Sequence, residues 1–176
     1  MFNKINVENW DRREIFELFK NSSYCLTVEI EITDFIQKIK QNGLKFYPSA
    51  CWCATSAVNS DKDYRYGILD GKVGYWDSVD PIYTLMRTGT NLFTHGTTDY
   101  TDDFFAFYKN FLYDKQQTEN CGRLYYKPDA PLNAVHITIM PDTHFSSLSR
   151  PASTPDRAPP RSRGFVVSGR APTDSG

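Results

Sequence analysis

Residues Leu26, Val28, Ile30 and Ile32 alternate with Thr27, Glu29, Glu31 and Thr33, the period-2 pattern of a strand with one buried face. Val135, Ile137 and Ile139 alternate in the same way with His136, Thr138 and Met140, and Pro141 ends that run. Elsewhere the period is helical. Trp10 to Phe19 sets Ile15, Phe16, Leu18 and Phe19 at helical spacing, with Asp11 and Glu14 where negative charge suits the helix dipole. A second helix is predicted from Asp34 to Gln41, with Thr33 as its N-cap, Phe35, Ile36 and Ile39 inward, and Asn42-Gly43 as a left-handed stop. Pro48 opens a third at its first position, and Ser49 to Val58 is small and apolar enough to be buried. Tyr66–Leu69, Asp70-Gly71 and Lys72–Trp76 read as a hairpin, because Asp-Gly readily takes the positive φ angles of a type I′ turn. Ile82 to Met86 adds a strand. Asp102 to Leu112 is a helix with Phe104, Phe105, Phe107, Tyr108 and Phe111 on one aromatic, core-facing side. These elements predict an α+β fold, a mixed β-sheet flanked by helices.

Composition divides the chain of 176 residues. Of its 12 Phe, 11 Tyr and 3 Trp, only Phe165 lies beyond residue 148. From Ser149 onward there are 5 Arg, no Lys and half of the 10 Pro. Residues 1–148 therefore read as one domain, and 149–176 as a Pro/Arg-rich disordered tail, the kind of stretch a frame-shifted reading yields. The formal net charge of -1 and the lack of aromatics among the tail's arginines exclude a general nucleic-acid binder. No apolar run is long enough for a membrane span or shaped like a signal peptide, so a cytoplasmic location is expected. Cys25, Cys51, Cys53 and Cys121 match no metal-ligand or redox spacing and read as thiols acting as small buried apolar groups.

Taken alone, the polar residues name no activity. His95, His136 and His144 lie in no local motif for a nucleophile, metal or phosphate, although His136 and Thr138 share a strand face. Asp99, Asp102 and Asp103 precede the aromatic helix and read as N-terminal capping.

A longer pattern adds a family. Asn3-Lys4-Ile5-Asn6-Val7-Glu8-Asn9-Trp10-Asp11-Arg12-Arg13-Glu14-Ile15-Phe16 resembles the opening of the chloramphenicol acetyltransferases, Trp-x-Arg-[Lys/Arg]-Glu-x-Phe after a short first strand. Lys45-Phe46-Tyr47-Pro48, Gly74-Tyr75-Trp76-Asp77-Ser78-Val79-Asp80-Pro81, Leu92-Phe93-Thr94 and Ile137-Thr138-Ile139-Met140-Pro141 follow in the family's order. The resemblance covers most of residues 3 to 148. It implies a CoA-dependent acyltransferase-like fold, truncated at the C-terminus, and a homotrimer with sites between subunits. It also implies transfer of acetyl from acetyl-CoA to the 3-hydroxyl of chloramphenicol, an antibiotic-resistance reaction, with no metal.

Residue by residue, the resemblance places Thr138 where members usually carry the Ser that stabilises the oxyanion. Arg12 matches an Arg that pairs with the Asp of a C-terminal His-His-x-x-x-Asp-Gly motif. Phe19, Cys25 and Phe93 fall at positions lining the drug pocket. The motif with the family's catalytic base is missing from these 176 residues, so Arg12 is expected to lose its partner and face solvent. Asp142 stands where a Trp usually follows the Pro. Proton transfer without the base is expected to be slower by about 10²–10⁴-fold, so the chain as written is expected to be weakly active or inactive. Two other expectations stand beside this: a non-catalytic remnant that binds drug or associates with other subunits, and replacement of the base by His144 or His136.

Overall fold

The computed structural model describes residues 1–20, 22, 25–128, 131–141 and 163–169. Its strands are β1 (Phe2–Lys4), β2 (Tyr66–Leu69), β3 (Lys72–Trp76), β4 (Asp80–Met86), β5 (Phe93–Thr97), β6 (Ala134–Pro141) and β7 (Arg163–Gly169). Its helices are α1 (Arg13–Phe19), α2 (Thr33–Gln41), α3 (Phe46–Asn59) and α4 (Phe104–Glu119). A small antiparallel sheet has the order β1-β3-β2. The larger sheet runs β5-β4-β6-β7, with β4 and β5 antiparallel and β4, β6 and β7 parallel, so it is mixed as expected. Among the described residues no helix is long and apolar enough to cross a membrane.

Local chemistry accounts for the elements that fall where the pattern put them. The hairpin turns at Asp70 (φ 50°) and Gly71 (φ 71°), the left-handed pair a type I′ turn requires. Gly43 (φ 64°) stops α2 as predicted. Thr33, however, is the first residue of α2 and not its cap; its hydroxyl, and then its N–H at 2.7 Å, donate to the Glu31 carboxylate, which holds that carboxyl below its usual range. Helix α3 starts two residues before Pro48, which still lies in the first turn, where backbone N–H groups have no helical partner. Asp103 caps α4, accepting from the N–H groups of Phe105 and Ala106. Its aromatic side is narrower than expected: Phe107 and Phe111 are buried, whereas Phe105 is exposed.

The core lies between the larger sheet and helices α3 and α4. Tyr83 and Leu85 of β4 and Val135 and Ile137 of β6 pack with Cys51, Val58, Phe107 and Phe111. Cys51 is the one buried cysteine; Cys25 and Cys53 are exposed and Cys121 half-buried, which corrects the expectation for three of the four. Gly96 sits on this face because a Cβ there would lie 2.5 Å from the Tyr83 ring and 2.7 Å from Thr118 Oγ1. Asp80 ties the layers together, its Oδ1 accepting the Tyr100 N–H at 2.8 Å and its Oδ2 the Asn133 amide at 3.2 Å. Burial pushes the Asp80 carboxyl above the usual range.

Three expectations fail for want of a neighbour or because one is present. Residues 25–32 form no strand, and Leu26, Val28 and Ile30 are 77%, 62% and 74% exposed. Alternation supplies a face, but a strand also needs a ladder partner. Helix α1 likewise leaves Ile15, Leu18 and Phe19 exposed; it packs through Phe16 on Trp10 of the preceding turn, ring centroids 5.6 Å apart. Conversely, Arg163–Gly169 within the expected disordered tail is strand β7, paired parallel to β6 from Val135↔Arg163 to Pro141↔Gly169. Its Phe165-Val166-Val167 run has the composition of a strand, and β6 offers an open edge for it. The rest of 149–176, and the positions Asp142 and His144, lie outside the described residues.

Candidate active site

The face of the larger sheet opposite the helices carries a different kind of residue. Because paired positions point the same way, the registers Ile82↔Thr97, Thr84↔His95, Met86↔Phe93 and Ile82↔His136 put these side chains on one face. Thr138, two residues beyond His136 on β6, belongs to it. The face is apolar at its floor, where Ile82 is buried, and polar above, where Thr84, His95, His136 and Thr138 are half-buried.

His95 is the hub of the cluster. Its Nδ1 lies 3.2 Å from Thr84 Oγ1, and its ring meets Phe93 at 5.4 Å, Tyr125 at 5.2 Å and, edge-on, His136 at 6.4 Å. The backbone holds it as well: the His95 N–H donates to the Leu124 carbonyl at 2.7 Å and its carbonyl accepts the Tyr126 N–H at 2.9 Å. Thr97 ends the same row. Its Oγ1 is buried and has no hydrogen-bond partner among the described residues, in a shallow cavity lined by Ile82, His95, Tyr125 and Lys127. Lys127 supplies the nearby positive charge, 3.4 Å from Asp99 and 3.9 Å from Asp114, whose carboxyl burial pushes upward.

Of the residues predicted for the site, Thr138 and Phe93 therefore lie on one face of the sheet, on β6 and β5 to either side of β4. Arg12, Phe19 and Cys25 lie instead on the N-terminal segment, Arg12 just before α1, Phe19 at its end and Cys25 in the exposed stretch that follows. Arg12 departs from expectation in one respect: it has a partner, Asp63, whose Oδ2 accepts from Nη1 at 2.8 Å. The hydrogen bond and charge of Asp63 raise the affinity of this exposed guanidinium for its proton. His95, Thr84 and Thr97 were missed as site residues because only the pairing of β4 with β5 brings them beside β6. Among the described residues no group of three or more His, Cys, Asp or Glu side chains is placed to hold a metal ion.

Comparison with known proteins gives a consistent picture. A family model described as chloramphenicol acetyltransferase matches residues 1–155. A chloramphenicol acetyltransferase of Staphylococcus aureus is 36% identical over 151 residues, which cover 84% of this chain and 70% of that protein. One from Clostridium perfringens is 34% identical over 152 residues, 84% of this chain and 69% of that protein. A solved chloramphenicol acetyltransferase structure superposes with a TM-score of 0.80 at 23% identity, covering 90% of this chain and 78% of that one, and so supports the α+β fold. With a model match over most of its length and relatives above 30% identity, the chain belongs to the chloramphenicol acetyltransferase family.

Proposed function

We propose that this chain is an acyltransferase that moves acetyl from acetyl-CoA to a hydroxyl of chloramphenicol, with residues 1–148 as the working domain. The match over 151 residues to proteins of that name carries the reading. In this reading the Thr138 hydroxyl donates to the oxygen of the tetrahedral intermediate, and Phe93 forms part of the apolar wall against which the drug's aromatic ring rests. Acetyl-CoA is a cytoplasmic metabolite, and the reaction belongs in that compartment.

Arg12, Phe19 and Cys25 enter the reading through assembly. Ile15, Leu18, Phe19, Leu26, Val28 and Ile30 form a string of exposed apolar side chains on one segment, more than an isolated soluble subunit ordinarily shows. A homotrimer covers such a string, and a neighbouring subunit then brings Phe19 and Cys25 toward the drug, while Arg12 and Asp63 fix the entry to α1. Light scattering should give three times the 20.2 kDa of one chain. Ile30→Asp puts a charge on the string and should shift the protein toward monomer; an assembly unchanged by Ile30→Asp would rule out this surface.

The direct test is release of free CoA thiol from acetyl-CoA by the purified chain. Release that requires chloramphenicol is the expected result. Drug binding without release would leave a binding protein, and neither binding nor release would remove the reading.

A further inference from the structure

We propose that strand β7, Arg163–Gly169, is a positioning element of the transferase: among the described residues it alone carries the ladder on the outer half of β6, and through that ladder it sets the direction of the Thr138 hydroxyl. The inference rests on the acetyl-transfer reading and extends its working part past residue 148.

The two neighbours of β6 hold different stretches of it. Strand β4 pairs with it from Asp80↔Ala134 to Tyr83↔Ile137, and there that ladder ends. From Thr84 to Met86, β4 continues with β5. Strand β7 runs on, through Thr138↔Val166, Ile139↔Val167 and Met140↔Ser168 to Pro141↔Gly169. The boundary falls between Ile137 and Thr138. Ile137 is buried in the core and paired on both sides, whereas Thr138 is half-buried and paired on one. Ile139 packs against the core through its side chain, which restrains the course of β6. The tilt of the peptide planes that flank Thr138 is set by hydrogen bonds to β7.

That tilt matters because a β-branched side chain has little χ1 freedom with which to correct its aim. An oxyanion donor must come within about 2.7–3.1 Å of the oxygen on which charge develops, a window narrower than the movement of a frayed strand end.

The segment is suited to the place. Phe165-Val166-Val167 joins an aromatic residue to two β-branched ones, the types that favour a strand. Residues 142–162 give the connection more than the dozen or so that a parallel crossover needs. Paired in this way, β7 occupies an edge of β6 that would otherwise present unpaired N–H and C=O groups. The apolar cluster of an otherwise Pro- and Arg-rich stretch thereby has a role.

Proline substitution tests it. Successive N–H groups alternate in direction along a strand, so of Val166 and Val167 one points its N–H at β6 and the other away. Proline removes a ladder hydrogen bond at the first and is tolerated at the second, on the outer edge. Val166→Pro and Val167→Pro are each compared with the unaltered full chain in drug-dependent thiol release, chloramphenicol binding by calorimetry, and amide hydrogen exchange of residues 138–140. The variant that breaks the ladder should speed that exchange and lower kcat by as much as about 10²–10³-fold, the loss of one oxyanion donor. Its Kd for chloramphenicol should stay near that of the unaltered chain, which also shows that it folds. Adding Thr138→Ala to it should cost much less than in the unaltered chain, because a donor already misdirected has little left to lose. The other proline should change exchange and rate less.

Two proline variants that exchange and turn over like the unaltered chain would overturn the proposal and leave the acetyl-transfer reading standing. So would a full further loss from Thr138→Ala in both, or loss of drug binding in both, since β7 would then serve the fold and not the aim of Thr138. An unaltered chain that releases no thiol in the presence of drug would bring down the acetyl-transfer reading, and the positioning role with it.

Discussion

Thr138→Ala is expected to lower kcat for acetyl transfer by about 10²–10³-fold, the loss of one oxyanion donor, equivalent to about 2.7–4 kcal/mol of transition-state stabilisation. The drug's Kd should change little, because the proposed interaction exists only when the carbonyl oxygen carries charge. The magnitude follows from how the hydroxyl is held. Strand β6 is hydrogen-bonded to β7 through Thr138↔Val166, and to β4 as far as Tyr83↔Ile137. Ile137, the preceding residue, is buried in the core. The backbone that carries Thr138 therefore cannot move to improve or lose its aim, and a fixed donor is what makes an oxyanion site effective. Thr138→Ser keeps the donor but frees its χ1, and should retain most of the rate. Thiol release and drug binding measured side by side check this; a Thr138→Ala kcat equal to that of the unaltered chain would remove Thr138 from the chemistry.

What the sequence made legible was what short-range chemistry decides. Asp70-Gly71, Asn42-Gly43 and Asp103 each act within a few residues, and the hairpin, the end of α2 and the start of α4 stand where those signals put them. Strand β5 escaped notice because its core side is Thr94 and Gly96, not large apolar residues: the Tyr83 ring and Thr118 already fill the space opposite Gly96. The stretch from Leu26 to Ile32 misled in the opposite sense, since alternation is a property of one strand and pairing a property of two. Strand β7 was hidden by the Pro and Arg around it, although Phe165-Val166-Val167 was visible as an apolar cluster.

The site shows the same division. Thr138 and Phe93 came from a resemblance in linear order, and the sheet puts both on one face. The relation of His136 to Thr138 is a period-2 fact and could be read directly. The meeting of His95 with His136 depends on registers linking positions 41 residues apart across two ladders, which no local pattern encodes. Arg12 illustrates the limit most clearly. Its partner Asp63 is 51 residues away, and both are exposed, so neither burial nor periodicity marks the pair.

Phe111→Ala is expected to destabilise the fold by about 3–5 kcal/mol, the range for truncating a buried aromatic ring. Phe111 is 0% exposed and is enclosed by rings, with Tyr83 at 4.3 Å, Tyr47 at 5.7 Å and Phe107 at 6.0 Å. The cost depends on whether the neighbours can close over the gap, and here two are tethered. The Tyr83 hydroxyl is 2.8 Å from Thr98 Oγ1, and the Tyr47 hydroxyl donates to the Thr84 carbonyl at 3.0 Å. Burial pushes both phenols above the usual tyrosine range, so neither ring gains by swinging out as an ion. The cavity should therefore persist, and with a domain stability of about 5–15 kcal/mol the loss removes a large share of the total. Urea unfolding should show a lower midpoint at unchanged slope. Phe105→Ala, on the exposed side of the same helix, should stay within about 0.5 kcal/mol. Because α4 backs the strand that positions Thr84 beside His95, Phe111→Ala should also reduce transfer before unfolding; equal losses from Phe105→Ala and Phe111→Ala would mean that α4 presents a different face to the sheet.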